Sequence, residues 1–338
     1  MTAAAIFGCA GTDLTQSERD FFRDTRPLGF ILFARNIVDP DQLRRLTAQL
    51  RDSIDDPAAP ILIDQEGGRV QRLRPPHWRA APPAERFGQL AGRDLAASCR
   101  AVKLNHRLIA AELTALGIDV DCAPLVDIRI SGAHDVIGDR AYGGAPDLVA
   151  TLGRAAAEGL LEGGVMPIIK HIPGHGRSMV DSHHDLPHVA ASRQKLSATD
   201  FRPFQALNDM PWAMTAHIVY EAIDSESPAT LSAKVIAEVI RGEIGFGGLL
   251  LTDDLSMKAL NGKLDDLARR SLAAGCDIVL HCNGDMAEMR QVAAGTAPLS
   301  PVAKARYEQG QDKRKRARLA EATTDMAALR DELARLIA

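Results

Sequence analysis

The 338-residue sequence contains no apolar run near the twenty or so residues that a helix needs to cross a bilayer, so membrane insertion is not expected. It has little cysteine: Cys9, Cys99, Cys122, Cys276 and Cys282 are odd in number, scattered and without Cys-x-x-Cys spacing. That pattern speaks against a disulfide framework or a zinc knuckle and for a reducing compartment, the cytoplasm. Charge of one sign is also missing. A formal net charge of -4 leaves no electrostatic footprint for nucleic acid. The basic cluster Lys313-Arg314-Lys315-Arg316-Ala317-Arg318 is flanked by acids and reads as a solvated helix face to which no partner is assigned. No Gly-x-Gly-x-x-Gly turn follows an early strand, which argues against a dinucleotide-binding open sheet. The opening Met-Thr-Ala-Ala-Ala-Ile-Phe-Gly-Cys resembles a lipoprotein cleavage site only faintly. It has no basic residues and too short an apolar stretch, so it reads as a buried first strand.

With 46% apolar and 25% charged residues, the chain can bury a core. Short apolar runs, each followed by a longer stretch of helical periodicity, recur from end to end, the pattern of parallel βα units. Eight strands are expected, at Ala4–Phe7, Gly29–Phe33, Pro60–Ile63, Val120–Leu125, Met166–Lys170, Trp212–Ala216, Gly248–Leu251 and Asp277–His281. Ile61-Leu62-Ile63 and Leu249-Leu250-Leu251 do not alternate, which fits strands covered on both faces. Thr15-Gln16-Ser17-Glu18 is a capping box that should begin the first helix. Further helices are expected over Leu95–Leu116, Asp147–Glu162, Ser232–Ile244 and Leu264–Ala274. The fold expected is α/β, a (β/α)8 TIM-type barrel. It should form one domain over 1–338, with helices from about 300 packed on its outside.

In such a barrel the catalytic groups stand after the strands. Those positions carry Arg35, Asp64 to Arg69, Asp127, Arg140, Lys170 with His171, His217, and Asp253 with Asp254. Residues 170–188 also hold half of the ten histidines. Asp253 is placed as an oriented nucleophile or, equally, as a helix N-cap; Asp254 suits an orienting or capping role. Asp181 and His183, two residues apart, suit an acid/base pair, since a carboxylate on one ring nitrogen raises the basicity of the other. They equally suit a polar loop over the barrel. Lys170, His171 and Arg140 suit hydroxyl recognition. Two chemistries stay open: metal-free group transfer through Asp253 and His183, or a divalent metal held by His171, His175, His183 and neighbouring aspartates. The His-x-His usual after the first strand of metal barrels is replaced by Phe7-Gly8-Cys9.

Four segments carry a family resemblance over essentially the whole chain. They are Ile63-Asp64-Gln65-Glu66-Gly67-Gly68-Arg69-Val70 with Arg72, Val136-Ile137-Gly138-Asp139-Arg140, Lys170-His171-Ile172-Pro173-Gly174-His175-Gly176 followed by Asp181-Ser182-His183, and Thr252-Asp253-Asp254-Leu255-Ser256-Met257. The chain resembles the single-domain bacterial β-N-acetylhexosaminidases of glycoside hydrolase family 3, which act in peptidoglycan recycling. The resemblance implies Asp253 as nucleophile, His183 as general acid/base and Asp181 as its partner. It implies that Asp64, Arg72, Arg140, Lys170 and His171 bind a terminal N-acetylglucosamine, with no cofactor and no metal. Such enzymes resemble retaining glycosidases, but with an Asp-His pair in place of the second carboxylate. The substrate implied is a small saccharide or muropeptide of the GlcNAc-anhydroMurNAc type.

An imidazole acid/base keeps a second negative charge away from the glycosyl ester, which suits an anionic acceptor, so phosphorolysis stands as the alternative to hydrolysis. Three positions depart from the family: Ile172 replaces a usual phenylalanine, Asp135 a common asparagine, and Arg177 an often acidic residue. The span 172–188 is long for a βα connection and is expected to move, carrying Asp181 and His183 over a bound sugar.

Overall fold

The computed structural model describes residues 1–180, 182, 185–319 and 325–338. Eight parallel strands close into a barrel: β1 (Ala3–Gly8), β2 (Pro27–Leu32), β3 (Ile61–Ile63), β4 (Val120–Asp121), β5 (Met166–Ile172), β6 (Trp212–Thr215), β7 (Leu249–Asp254) and β8 (Ile278–His281). Each strand pairs with its neighbours in sequence, and β1 closes the ring against β8 with Ile6 opposite Leu280. All eight expected strands are present. The fourth is shorter than expected because Pro124 has no N–H to continue the ladder. Its pairing resumes as a single bridge from Leu125 to Lys170.

The unbroken apolar runs are explained by covering on both faces. Ile6, Leu62, Leu249 and Leu251 pack together in the barrel lumen. Phe7, Ile61 and Ile63 point the other way, into a layer shared with the surrounding helices, and Leu250 enters a second such layer. The helices run Leu95–Thr114, Pro146–Glu162 and Leu264–Ala274. The expected helix over 232–244 is a wide one over Val235–Glu243, with Ile244 N–H donating to the carbonyl five residues back at Val239.

The basic cluster departs from the solvated face expected of it. It lies in the helix Pro301–Leu319, which reaches residues just before the N-terminal ends of three strands. Lys313 pairs with Asp209 at 3.1 Å, Arg314 with Asp119 at 2.7 Å, and Arg306 with Asp277 at 2.8 Å. Lys315, Arg316 and Arg318 do face solvent. No helix among the described residues is long and apolar enough to cross a membrane.

The capping box forms as expected: Glu18 N–H donates to Thr15 Oγ1 at 3.2 Å and Thr15 N–H to Glu18 Oε2 at 2.9 Å. Glu18 is buried and its Oε1 also accepts from the N–H of Ala10, in the loop after β1, at 2.8 Å. It therefore ties that loop to the helix as well as capping it. Thr15→Ala should cost about 1 kcal/mol, as N-cap losses do. Glu18→Ala, which strands two main-chain donors, should cost about 3 kcal/mol. Denaturant unfolding of both variants checks this; equal losses would remove the second role from Glu18.

Candidate active site

The turns after the strands converge at the C-terminal end of the barrel around a cavity of about 260 Å³. Asp64, Arg72, Arg140, Lys170, His171 and Asp253 all line it.

The segment after β3 is built to return on itself. Gln65–Gly67 pairs antiparallel with Val70–Gln71, and the turn between them has Gly67 at φ 99° and Gly68 at φ 56°, values that favour glycine. The Gln65 side chain holds the far end, its Oε1 accepting from the N–H groups of Arg72 at 2.9 Å and Leu73 at 3.0 Å. Eight residues of chain thus bring a guanidinium back to the carboxylate it follows: Arg72 Nη2 donates to Asp64 Oδ2 at 3.0 Å.

From there charges alternate across the floor of the cavity. Lys170 Nζ, at the end of β5, donates to Asp64 Oδ1 at 2.7 Å and lies 2.7 Å from Glu66 Oε1. Glu66 in turn takes both arms of Arg140, at 2.9 and 2.7 Å. Arg140 is set by the turn Gly138–Arg140, whose Asp139 pairs with Arg69 at 2.9 Å. Burial alone would raise the pKa of Asp64, but Lys170 and Arg72 outweigh it and hold this carboxyl well below the carboxylate range. Glu66 is likewise brought down against burial, to about 2, by Arg140 and Lys170. Lys170 keeps its proton more firmly than a free lysine, because the two carboxylates overcome its burial. Asp121, buried at the end of β4, goes the other way: burial, only partly offset by the N–H of Gln65, pushes its pKa up to about 8. At neutral pH it adds no third negative charge. The row is Arg72, Asp64, Lys170, Glu66, Arg140: three cations to two carboxylates.

A second carboxylate organises the histidines. Asp127, fully buried after β4, accepts from His171 Nδ1 at 2.7 Å and from the N–H of His175 at 2.6 Å. Burial works against its charge, but His171 and His175 outweigh it and lower its pKa. His171 is thereby oriented with Nε2 left for a ligand. Gly176 follows where only glycine fits, since a Cβ there would lie 1.9 Å from the carbonyl oxygen of Ile128.

Asp253 ends β7 on the cavity, its Oδ1 accepting from the N–H of Asp254 at 2.8 Å. Of the orienting or capping role expected of Asp254, helix capping does not occur, since the chain after it forms a turn and the next helix begins at Leu264. The Asp254 carboxylate accepts from Ser256 N–H at 3.1 Å, Ser256 Oγ at 2.7 Å and Cys282 N–H at 3.2 Å. His217 donates to the Asp254 carbonyl through Nε2 at 3.0 Å and meets Thr230 Oγ1 through Nδ1 at 2.7 Å.

The structure therefore brings Asp64, Arg72, Arg140, Lys170, His171 and Asp253 to one cavity. Asp181 and His183, expected as the acid/base pair, lie outside the described residues. Glu66 and Asp127 were not among the site residues expected from the sequence; their signal was a carboxylate in the segment that follows a barrel strand, as for Asp64. Among the described residues no three His, Cys, Asp or Glu side chains are grouped to hold a metal ion.

The model of the glycosyl hydrolase family 3 N terminal domain matches residues 11–312. A β-hexosaminidase of Alkalilimnicola ehrlichii is 41% identical over 285 residues, 82% of this chain and 80% of that protein. The crystal structure of native NagZ from Neisseria gonorrhoeae superposes with a TM-score of 0.88 at 32% identity, covering 100% of this chain and 98% of the other. The same protein in complex with N-trifluoroacetyl-D-glucosamine gives the same score and coverage, and its zinc complex gives 0.86. The chain belongs to glycosyl hydrolase family 3. It is a (β/α)8 glycoside hydrolase similar to β-hexosaminidases over most of its length.

The depressed carboxyls set a pH window for stability. A carboxylate with a lowered folded-state pKa stabilises the fold above its unfolded pKa and loses that contribution as pH falls through the folded value. The Glu66 contribution should thus be complete at pH 7 and vanish between about 4.5 and about 2. Glu66→Gln should melt below the wild type at neutral pH, with the gap closing across that range. A gap unchanged at the acid end would show that the loss comes from packing and not from charge.

Proposed function

We propose that this glycoside hydrolase is an exo-acting β-N-acetylglucosaminidase that removes terminal N-acetylglucosamine from muropeptide-type disaccharides through a covalent glycosyl–enzyme intermediate. The observation that carries the reading is that Arg72, Asp64, Lys170 and Arg140 of the alternating charge row line one small cavity together with Asp253. Its volume of about 260 Å³ is below the ~300–1,000 Å³ usual for drug-sized ligands, which favours one terminal sugar over an extended glycan. Fixed charged donors and acceptors suit sugar hydroxyls, which demand both. The Neisseria relative's complex with an N-acylated glucosamine supports the same sugar here.

Arg72, Arg140, Lys170 and His171 donate to the sugar and Asp64 accepts from it. An Asp253 oxygen then attacks the anomeric carbon while the glycosidic C–O bond breaks, and the leaving oxygen takes a proton from the His183 imidazolium, whose other nitrogen is held by Asp181. In the second step water attacks the anomeric carbon, His183 takes back a proton, and Asp253 departs as carboxylate. Water as acceptor is supported by the β-hexosaminidase relatives. Five unbridged cysteines support work in the cytoplasm.

Asp253→Ala should abolish turnover of aryl β-N-acetylglucosaminides, and His183→Ala should slow release of poor leaving groups by about 10²–10⁴-fold while sparing activated ones. An unchanged rate in the first variant would overturn the mechanism, and an equal penalty across leaving groups would remove His183 from the acid role. Hydrolysis should continue undiminished in excess EDTA and yield free N-acetylglucosamine with phosphate present. Loss of rate in EDTA would point to a metal, and a sugar phosphate as main product to a phosphorylase.

Glu66→Gln leaves Lys170 and Arg140 charged but loosens both. It should raise KM about tenfold, the ~1.4 kcal/mol of a hydrogen bond to a charged group, with a smaller effect on kcat. Steady-state kinetics on an aryl glycoside checks the split.

A further inference from the structure

Ser182 stands between Asp181 and His183 in sequence, is buried, and lines the cavity. Among the described residues, its hydrogen bonds go to two different loops. Ser182 Oγ lies 3.1 Å from His175 Nε2, in the loop after β5. The Ser182 carbonyl accepts from the N–H of Ala259 at 3.2 Å, in the turn that follows Asp253 and Asp254. Both anchor points are themselves fixed. The His175 N–H is held by Asp127, and its ring packs at 5.4 Å from that of His171. The Ala259 turn is closed by Met257 N–H to the Asp254 carbonyl at 3.1 Å and by Leu260 N–H to Met257 at 3.0 Å.

The near part of the loop is tied down separately. Tyr220 OH donates to the Gly174 carbonyl at 2.7 Å, Arg177 Nε to Asp200 at 2.7 Å, and His134 N–H to the Ser178 carbonyl at 2.9 Å. The part of the span 172–188 up to Ser178 is thus hydrogen-bonded to its surroundings in this structure. The chain is held as far as Ser178 and held again at Ser182.

We propose that Ser182 and His175 are positioning residues, a clasp that fastens the chain between Asp181 and His183 to the turn behind Asp253 and so limits where the acid/base can reach. This rests on the acid/base reading above. One imidazole must serve the leaving oxygen and then the incoming water at the same place, and a misplacement of about 1 Å can cost a hundredfold. Ser182 is covalently joined to both members of the pair, so fixing it limits the reach of each. The clasp is also electrically quiet. Burial and the neighbouring His171 bring the pKa of His175 down to about 4, so its ring is neutral at pH 7 and puts no extra cation beside the acid/base. His175 Nδ1 is buried with no partner among the described residues, which favours the tautomer with the proton on Nε2, donating to Ser182 Oγ.

Ser182→Ala and His175→Gln test the clasp on activated and unactivated aryl β-N-acetylglucosaminides, with His183→Ala as reference. Ser182→Ala should lower kcat/KM for unactivated substrates by between about tenfold and about a hundredfold while leaving activated ones within about twofold. Azide should restore its kcat on activated substrates and give the glycosyl azide, because azide attacks the anomeric carbon and displaces Asp253 without needing a base. His175→Gln, whose amide can reach Ser182 Oγ, should keep more activity than His175→Ala. An equal loss on all substrates without azide rescue, or no loss at all, overturns the clasp. If His183→Ala shows the leaving-group dependence and Ser182→Ala does not, the clasp alone falls. If His183→Ala shows none, the acid/base reading falls and the clasp with it.

Discussion

Lys170 between Asp64 and Glu66 is the contact on which the rest of the site depends. A buried ammonium is tolerated only when its lost hydration is replaced, and here two carboxylates at 2.7 Å replace it. Each carboxylate then needs a second cation to remain ionised in the same surroundings, which Arg72 and Arg140 supply. The row therefore ties together the segments after β3, β4 and β5. Its members are coupled: loss of one leaves the next as an uncompensated buried charge, so its cost exceeds what the pair itself contributes. The three cations exceed the two carboxylates by one, and Asp253 lines the same cavity as all three.

The same dependence explains which parts of the molecule were legible in the sequence. Strands buried on both faces read as apolar runs, so all eight were visible and Leu264–Ala274 fell where its periodicity placed it. The limits were local: Pro124 cut the fourth strand short, and the wide turns over Val235–Glu243 leave no mark in a pattern of period 3.6. The basic cluster near the C-terminus shows a different limit. Its charge pattern fits a solvated helix, and only the tertiary position of Asp119 and Asp209 turns Arg314 and Lys313 into anchors.

Within the site, residue type and strand-end position were enough to collect the cations and Asp253, but not to tell which carboxylates stand on the cavity and which only hold other side chains. Asp127 and Asp64 both follow barrel strands. One is spent on orienting His171 and His175, the other stands on the cavity, and the difference lies in partners brought from 44 and 106 residues away. The five histidines of residues 170–188 likewise looked like one cluster in sequence. In the structure His171 is aimed by Asp127 and His175 is turned toward Ser182, while His188 faces solvent near Glu221. A histidine-rich segment with metal-like composition thus divides into unlike tasks once the chain is folded.

The surroundings of Asp253 complete the electrostatic argument. A carboxylate keeps its charge best where no neighbour donates it a proton. Asp254, beside Asp253, is a second carboxylate held by Ser256 and Cys282, and the thiols nearby add no further negative charge. Burial, aided by the charges of Asp254 and Asp253, raises the Cys282 thiol well above its ordinary range, and burial with Asp64 does the same for Cys122, so neither becomes an anion. Burial lowers the pKa of His217 even though Asp253 opposes it, so that ring holds its proton less readily than a free histidine. The row of ion pairs is built from the segments after β3 and β4 and from β5 itself, and the proposed acid/base belongs to the chain that follows β5. On that proposal recognition is rigid within the barrel, while the group that gains and loses a proton is carried on a loop that the structure holds at Ser178 and Ser182 among other points.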